Sequence, residues 1–363
     1  MPIATPSSGG DTIAVIPPER STIATEHPIF LVGAERSGST LLRLMLDSHP
    51  EVTCCEGFEF MVEQVGDDGT LPPMDQYLDY LSVHRIFGSS QLTIDDSLGY
   101  VELLNDFFAQ RLTLSGKSLI GAMCHENYTR LLHIWPEARF IHLIRDPRDV
   151  ARSVIEMGWF GNVDRATRKW VHAEVQFDQL KTLVPEDRRI DVQFADLIGN
   201  HRGELARICA FLDIEYTDEM MSYADETAYG LPDPSRVEGW AVDMPDRDVR
   251  IVEGKVGSLL TERGFEPSGL GPLTLRGLPL IAHKFDDRKR QLRRRFEKYG
   301  ARLATDIWLS RLLPIPRYKR SVRLRMNDVE RSRRKQSWRS NGLEISVPDQ
   351  MERPSVGGRS DCG

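Results

Sequence analysis

Cysteine is scarce in this chain of 363 residues: there are five, Cys54, Cys55, Cys124, Cys209 and Cys362, with no CxxC pair and no even framework. That excludes a disulfide-stapled secreted domain and a structural zinc site, and it suits a reducing compartment. Long apolar runs are missing too, since nowhere do about 18 apolar residues follow one another, which argues against a membrane-spanning helix. There is no internal repeat, so solenoids and propellers are excluded. Residues 1–27 lack the cationic start and apolar core of a signal peptide; Pro, Gly, Ser and Thr mark them as a flexible leader. Residues 337–363 read as a disordered tail, and these absences together point to the cytoplasm.

What remains has the composition of an ordinary globular protein, 40 % hydrophobic and 28 % charged. The net charge of −7 conceals a polarity along the chain: residues 1–271 carry 24 Lys and Arg against 44 Asp and Glu, whereas residues 272–336 carry 20 against 6. An acidic body repels polyanions, so nucleic acid is not an expected partner.

Short apolar runs alternate with helical patterns between residues 28 and 271, the signature of an α/β domain with a parallel sheet and flanking helices. Strands are expected at Ile29–Val32, Ser118–Met123, Phe140–Ile144 and Arg189–Phe194. Helices are expected at Leu41–Asp47, Thr129–Trp135, Val150–Met157 and Glu204–Leu212. In such sheets ligands bind beyond the carboxyl ends of the strands.

Two segments there carry anion chemistry. The first, Gly33-Ala34-Glu35-Arg36-Ser37-Gly38-Ser39-Thr40, leads from an apolar strand into a helix. Its two glycines have the spacing of the phosphate loop G-x-x-x-x-G-K-[ST], in which backbone N–H groups converge on one anion at a helix amino terminus. Ser39 stands where that motif has its lysine, and the cation comes earlier, as Arg36. A triphosphate clamp is thereby weakened, while the hydroxyls of Ser37, Ser39 and Thr40 remain for a smaller anion. The second segment is Ile144-Arg145-Asp146-Pro147-Arg148-Asp149 with Ser153 a turn and a half further on. Arg145 is a bidentate donor and Ser153 a hydroxyl donor for a second phosphate, while Asp146 caps the following helix and Pro147 opens it.

The two segments together resemble the signature regions of sulfotransferases that use 3′-phosphoadenosine 5′-phosphosulfate (PAPS), above all bacterial members and the tyrosylprotein branch. The likeness runs over about residues 28–265 and includes Val192-Gln193-Phe194-Ala195-Asp196 and Ile208–Leu212. It implies an enzyme moving a sulfuryl group from PAPS to a hydroxyl acceptor of unknown class, leaving adenosine 3′,5′-bisphosphate, with no metal. It further implies that Arg36, Ser37, Gly38, Ser39 and Thr40 hold the 5′-phosphosulfate and that Arg145 and Ser153 hold the 3′-phosphate. Phe194 stands near the adenine or in the core, and Ser235 lies in a loop over the nucleotide.

Two departures from the family pattern concern catalysis. The family's glutamate base aligns with Gly57, which leaves Glu56 and Glu59 as candidates for the role. Where relatives carry a lysine after the second strand of this pattern, the chain has His125, a residue able to supply a proton or a hydrogen bond near neutrality. Competing readings are a phosphotransferase or kinase with a phosphate loop lacking its lysine, and a noncatalytic nucleotide-binding module.

The basic segment 272–336 reads as a helical extension, in which Phe285, Leu292, Phe296, Tyr299, Leu303 and Ile307 share an apolar stripe. Two expectations follow for it. Either the stripe packs on the acidic body with the arginines pairing its carboxylates, or residues 284–325 make a peripheral contact with an anionic membrane or an acidic acceptor.

Overall fold

The computed structural model describes residues 25–340, with side chains as far as Arg333. The expected leader and tail therefore fall almost wholly outside the described residues. Five parallel strands, β1 (Ile29–Val32), β2 (Val52–Cys55), β3 (Leu119–Cys124), β4 (Arg139–Ile144) and β5 (Arg189–Gln193), form one sheet in the order β2-β3-β1-β4-β5. β1 is central and buried along its whole length, which is why it reads as an unbroken apolar run rather than an alternation.

Both faces of the sheet are covered. On one, Phe30, Val32, Ala122 and Phe140 meet helix α3 (Tyr100–Ser115) through Leu103, Leu104, Phe107 and Phe108, along with Tyr128 of the short helix α4 (Tyr128–Ile134) and Trp135 just past its end. On the other, Ile29, Leu31, Ile141 and Leu143 meet Leu42, Met45 and Leu46 of α1 (Ser39–Asp47) and Leu205 and Ile208 of α8 (His201–Phe211). Each buried Val, Leu, Ile, Phe or Met among these contributes about 1.5–3 kcal/mol by leaving water. A third cluster joins α5 (Pro147–Glu156), α6 (Val163–Lys181) and α9 (Asp246–Val256) around Trp170. Helix α2 (Met74–Val83) adds Tyr77 and Leu81 to the first of these clusters, and β2, α2, α3 and α6 are elements that the apolar pattern did not reveal. Phe194 does not end a strand as expected; it opens the short helix α7 (Phe194–Gly199).

The strand order reverses at β1: the chain builds β2 and β3 on one side of it, then crosses to β4 and β5 on the other. At such a switch point the loops diverge and leave a crevice. Register decides what enters it, because Val32 is level with Cys124 on one side and His142 on the other. The loop after β1 therefore emerges beside His125, and Arg145 lies three residues beyond His142, the residue level with the end of β1.

The basic extension is helical, as expected: α10 (Gly277–Leu312) bends at Gly300, where φ is 73°, and α11 (Pro316–Ser340) folds back along it. Its apolar stripe splits in two. Leu303 and Ile307 pack on Val322 of α11, whereas Phe285, Leu292 and Phe296 are exposed. What faces the body is polar, with Asp287 accepting from the backbone N–H of Gly161 at 2.7 Å and Arg294 donating to the carbonyl of Phe160 at 3.3 Å.

Candidate active site

The loop between β1 and α1 is fixed by close approach. Gly33 has φ 146°, and a Cβ there would lie 2.4 Å from the carbonyl oxygen of Leu143; Gly38 has φ 99°, and a Cβ would lie 2.5 Å from the ring of Phe194. Only glycine meets both conditions. Arg36 is held at φ 73° without being glycine, a conformation that persists only where its surroundings enforce it. Here Arg145 donates to the Arg36 carbonyl at 2.9 Å, and Arg36 Nε donates to Ser153 Oγ at 3.1 Å. Tyr128 ties the start of the loop: its hydroxyl accepts from the Gly33 N–H at 3.2 Å and lies 3.1 Å from the carbonyls of Gly33 and His125.

Arg145 sits under the ring of Phe194, 4.4 Å from its centroid, with its second terminal nitrogen on the Arg236 carbonyl at 2.7 Å. Burial pushes its guanidinium down to about 10, aided by the neighbouring Arg36 and Arg236 and opposed by Asp149. Its Nε and the Ser37 hydroxyl are buried with no hydrogen-bond partner among the described residues. Asp146 and Pro147 do what the sequence predicts, capping and opening α5; Asp146 accepts from the Arg148 N–H at 2.8 Å. Arg148 is structural: it pairs with Asp146 and Glu253 and lies against Trp240.

Two cavities flank this loop. One, of about 460 Å³, is lined by Arg36, Gly38, Ser39, Thr40, Arg145, Ser153 and Phe194, closed over by Tyr229, Asp233 and Arg236. The other, of about 540 Å³, is lined by Glu56, Glu59 and His125 and again by Arg36, Ser39 and Thr40. Arg36, Ser39, Thr40 and Tyr229 belong to both, so the cavities adjoin across the helix amino terminus. Ser37, within the loop, is buried and lines neither cavity. Ser235 sits in the covering loop, its hydroxyl on Asp233 at 2.7 Å.

In the second cavity the sequence candidates form a chain of contacts. His125 Nδ1 lies 2.9 Å from Glu59 Oε1, and His125 Nε2 lies 3.1 Å from Ser39 Oγ. Burial alone would lower the imidazole's pKa, but the hydrogen bond and charge of Glu59 outweigh it and hold the value above the ordinary 6.5. Burial likewise opposes ionisation of Glu59, and the hydrogen bond to His125 overrides it, keeping the carboxyl below its ordinary 4.5. Glu56 is exposed at the rim. Gly57, with φ 64°, starts the helical turn Phe58–Met61 that carries Glu59 inward. Sequence reasoning missed Tyr128, Tyr229 and Trp159, whose ring lies 5.8 Å from the Arg36 guanidinium; each comes from a segment with no motif of its own.

Residues 28–218 match the family model described as "Sulfotransferase family", just over half of the chain. The chain belongs to the sulfotransferase family. Protein-tyrosine sulfotransferase A of Caenorhabditis elegans is 23 % identical over 287 residues, 71 % of this chain and 72 % of that one. Omega-hydroxy-beta-dihydromenaquinone-9 sulfotransferase Stf3 of Mycobacterium tuberculosis is 23 % identical over 320 residues, 70 % and 79 % of the two chains. Among solved structures, sulfotransferase STF9 from Mycobacterium avium superposes with a TM-score of 0.44 at 13 % identity, covering 69 % of this chain and 80 % of that one. In this chain the loop residues Arg36, Ser39 and Thr40 form the wall that the two cavities share, with the Glu59–His125 pair on one side of it and Arg145 and Ser153 on the other. Among the described residues, no helix is long and apolar enough to cross a membrane.

Proposed function

We propose that the protein transfers a sulfuryl group from PAPS to a hydroxyl acceptor, with the nucleotide in the cavity bounded by Arg145 and Ser153 and the acceptor in the cavity bounded by Glu59 and His125. The observation that carries this reading is that the two cavities share Arg36, Ser39 and Thr40. A group held at that wall is open to the nucleotide from one side and to an acceptor from the other. The chain's residues fit a doubly anionic nucleotide: the glycine-shaped cradle admits a phosphate to backbone N–H groups, and the unpartnered Ser37 Oγ and Arg145 Nε lie next to it.

In this reading PAPS supplies an activated sulfonate and a phosphate leaving group. The chain supplies the rest. Arg36 and the hydroxyls of Ser39 and Thr40 neutralise charge on the sulfonate and leaving oxygens. Neutral His125, oriented by Glu59, takes the acceptor's hydroxyl proton as the new S–O bond forms and the bond to the bisphosphate breaks. The carboxylate steadies the imidazolium that results, and the pair titrates as one unit. Glu56, exposed at the rim of the same cavity, is the second candidate base.

The test is thermal stabilisation of the full chain by adenosine 3′,5′-bisphosphate against ATP with magnesium, followed by labelled-sulfate transfer from PAPS to a panel of phenols and alcohols. A bisphosphate-specific rise in melting temperature and acceptor-dependent turnover are expected. Stabilisation by ATP alone would replace this reading with the phosphotransferase one, and binding without turnover on any acceptor would leave a nucleotide-binding module.

A further inference from the structure

A third cavity, of about 890 Å³, lies outside the two just described, between α6 and the first half of α10. Helix α10 there has two unlike faces. Asp287 and Arg294 turn to the body, and Asn162 donates to the His283 carbonyl at 2.9 Å. Opposite them Leu278, Ile281, Phe285, Leu292 and Phe296 recur three, four, seven and four residues apart, which at about 100° per residue is a single stripe. All five are exposed, Leu278 to 80 % and Phe285 to 71 %. Exposed cations border the stripe, Lys284 and Arg288 on one edge and Lys289 and Arg293 on the other. The acidic residues of the stretch are engaged elsewhere: Asp286 pairs with Arg290, Glu297 with Arg293, and Asp287 points into the body.

We propose that this face of α10 docks the protein on an anionic lipid bilayer. An apolar row holding two phenylalanines between two rows of Lys and Arg matches the boundary between acyl chains and headgroups, with the cationic stems reaching the phosphates. Charge selects this occupant and sets the orientation. The extension carries 20 Lys and Arg against 6 acidic residues and is drawn to a negative surface, while residues 1–271, with 24 against 44, are repelled from it. Ile281 and Phe285 also line the large cavity, together with Phe160, Arg165 and Lys169. Glu126 lines both that cavity and the one holding Glu59 and His125. On the transfer reading above, docking therefore brings the acceptor side of the site to the lipid surface.

The experiment is co-sedimentation of the full chain with vesicles of phosphatidylcholine alone and of phosphatidylcholine mixed with phosphatidylglycerol, with neither nucleotide nor acceptor present, so that its outcome is independent of the transfer reading. Partition into the mixed vesicles only, released by high salt, is expected. The paired substitutions Phe285→Ser with Phe296→Ser, and Lys284→Glu with Lys289→Glu, should each weaken it by roughly tenfold. These positions are exposed, and unchanged melting temperatures will show that the variants are folded. No partition, equal partition into both vesicles, or retention by both variants overturns the proposal. So does a concentration-dependent dimer that the Phe285→Ser, Phe296→Ser variant dissolves, which would assign the stripe to a second copy of the chain.

Discussion

Replacing Glu59 by Gln removes one charge and almost no volume, and the geometry around His125 dictates three consequences. The Glu59 carboxylate takes His125 Nδ1 at 2.9 Å and the His125 backbone N–H at 3.3 Å through the same oxygen. Losing the charged partner of such a bond costs about 1.5–3 kcal/mol. Burial, which Glu59 now overrides, becomes dominant, so the imidazole's pKa should fall from above its ordinary 6.5 to below it. The amide can also turn its NH2 toward Nδ1, leaving the proton on Nε2 and no lone pair facing the acceptor. Turnover should then drop by about 10²–10⁴-fold, the usual worth of a positioned base, while bisphosphate affinity stays at the parent value.

The same substitution has a pH signature. His125 titrates above its ordinary value, so its share of stability is fully present below 6.5 and is lost as pH rises through the folded value. Glu59 titrates below its ordinary value, so its share is present above 4.5 and is lost as pH falls through the folded value. The stability gap between parent and variant should be widest between these two limits and narrow on either side. NMR titration of the His125 ring, chemical denaturation across pH and the pH–rate profile report the three effects separately. An unmoved His125 titration together with parental turnover would refute the reasoning, and the base would then be sought at Glu56.

Arg36→Ala and Arg145→Ala should each weaken adenosine 3′,5′-bisphosphate by about 1.5–3 kcal/mol in calorimetry; Arg145→Ala should also lower the melting temperature, because its fork holds the Arg36 and Arg236 carbonyls. Gly38→Ala pushes a methyl into the Phe194 ring at a positive φ, and a loss of about 1–3 kcal/mol with abolished bisphosphate binding is expected by denaturation and calorimetry. Tyr128→Phe removes the hydroxyl that satisfies the buried Gly33 N–H; a loss of about 1–3 kcal/mol should appear in urea melts, and a parental melt would show the loop to be held by its glycines alone.

How much of this was legible beforehand depends on range. The turn from β1 through Gly33 and Gly38 into α1 was readable because its signal is local: strand, glycine spacing and helix start lie within a dozen residues, and each has its own backbone cause. Arg145 and the Asp146–Pro147 cap were readable for the same reason. Helices α2 and α3 and strand β2 were not read from the apolar pattern, although Pro73 precedes α2 and Gly116, at φ 68°, ends α3. The contact between Glu59 and His125 spans 66 residues, and no motif joins its ends. It arises because β2 and β3 are neighbours in the sheet and Gly57, at positive φ, turns the chain so that Glu59 rather than Glu56 points inward. The apolar stripe of α10 taught the complementary lesson. Its periodicity held over Phe285, Leu292 and Phe296 but broke at Gly300, beyond which Leu303 and Ile307 pack on Val322; periodicity says only that a face exists, not what covers it, and Asp287 and Arg294 anchor the helix by its opposite side. A helix anchored through Asp287 and Arg294 on one side turns its opposite side to solvent, and that is where Phe285 and Phe296 lie.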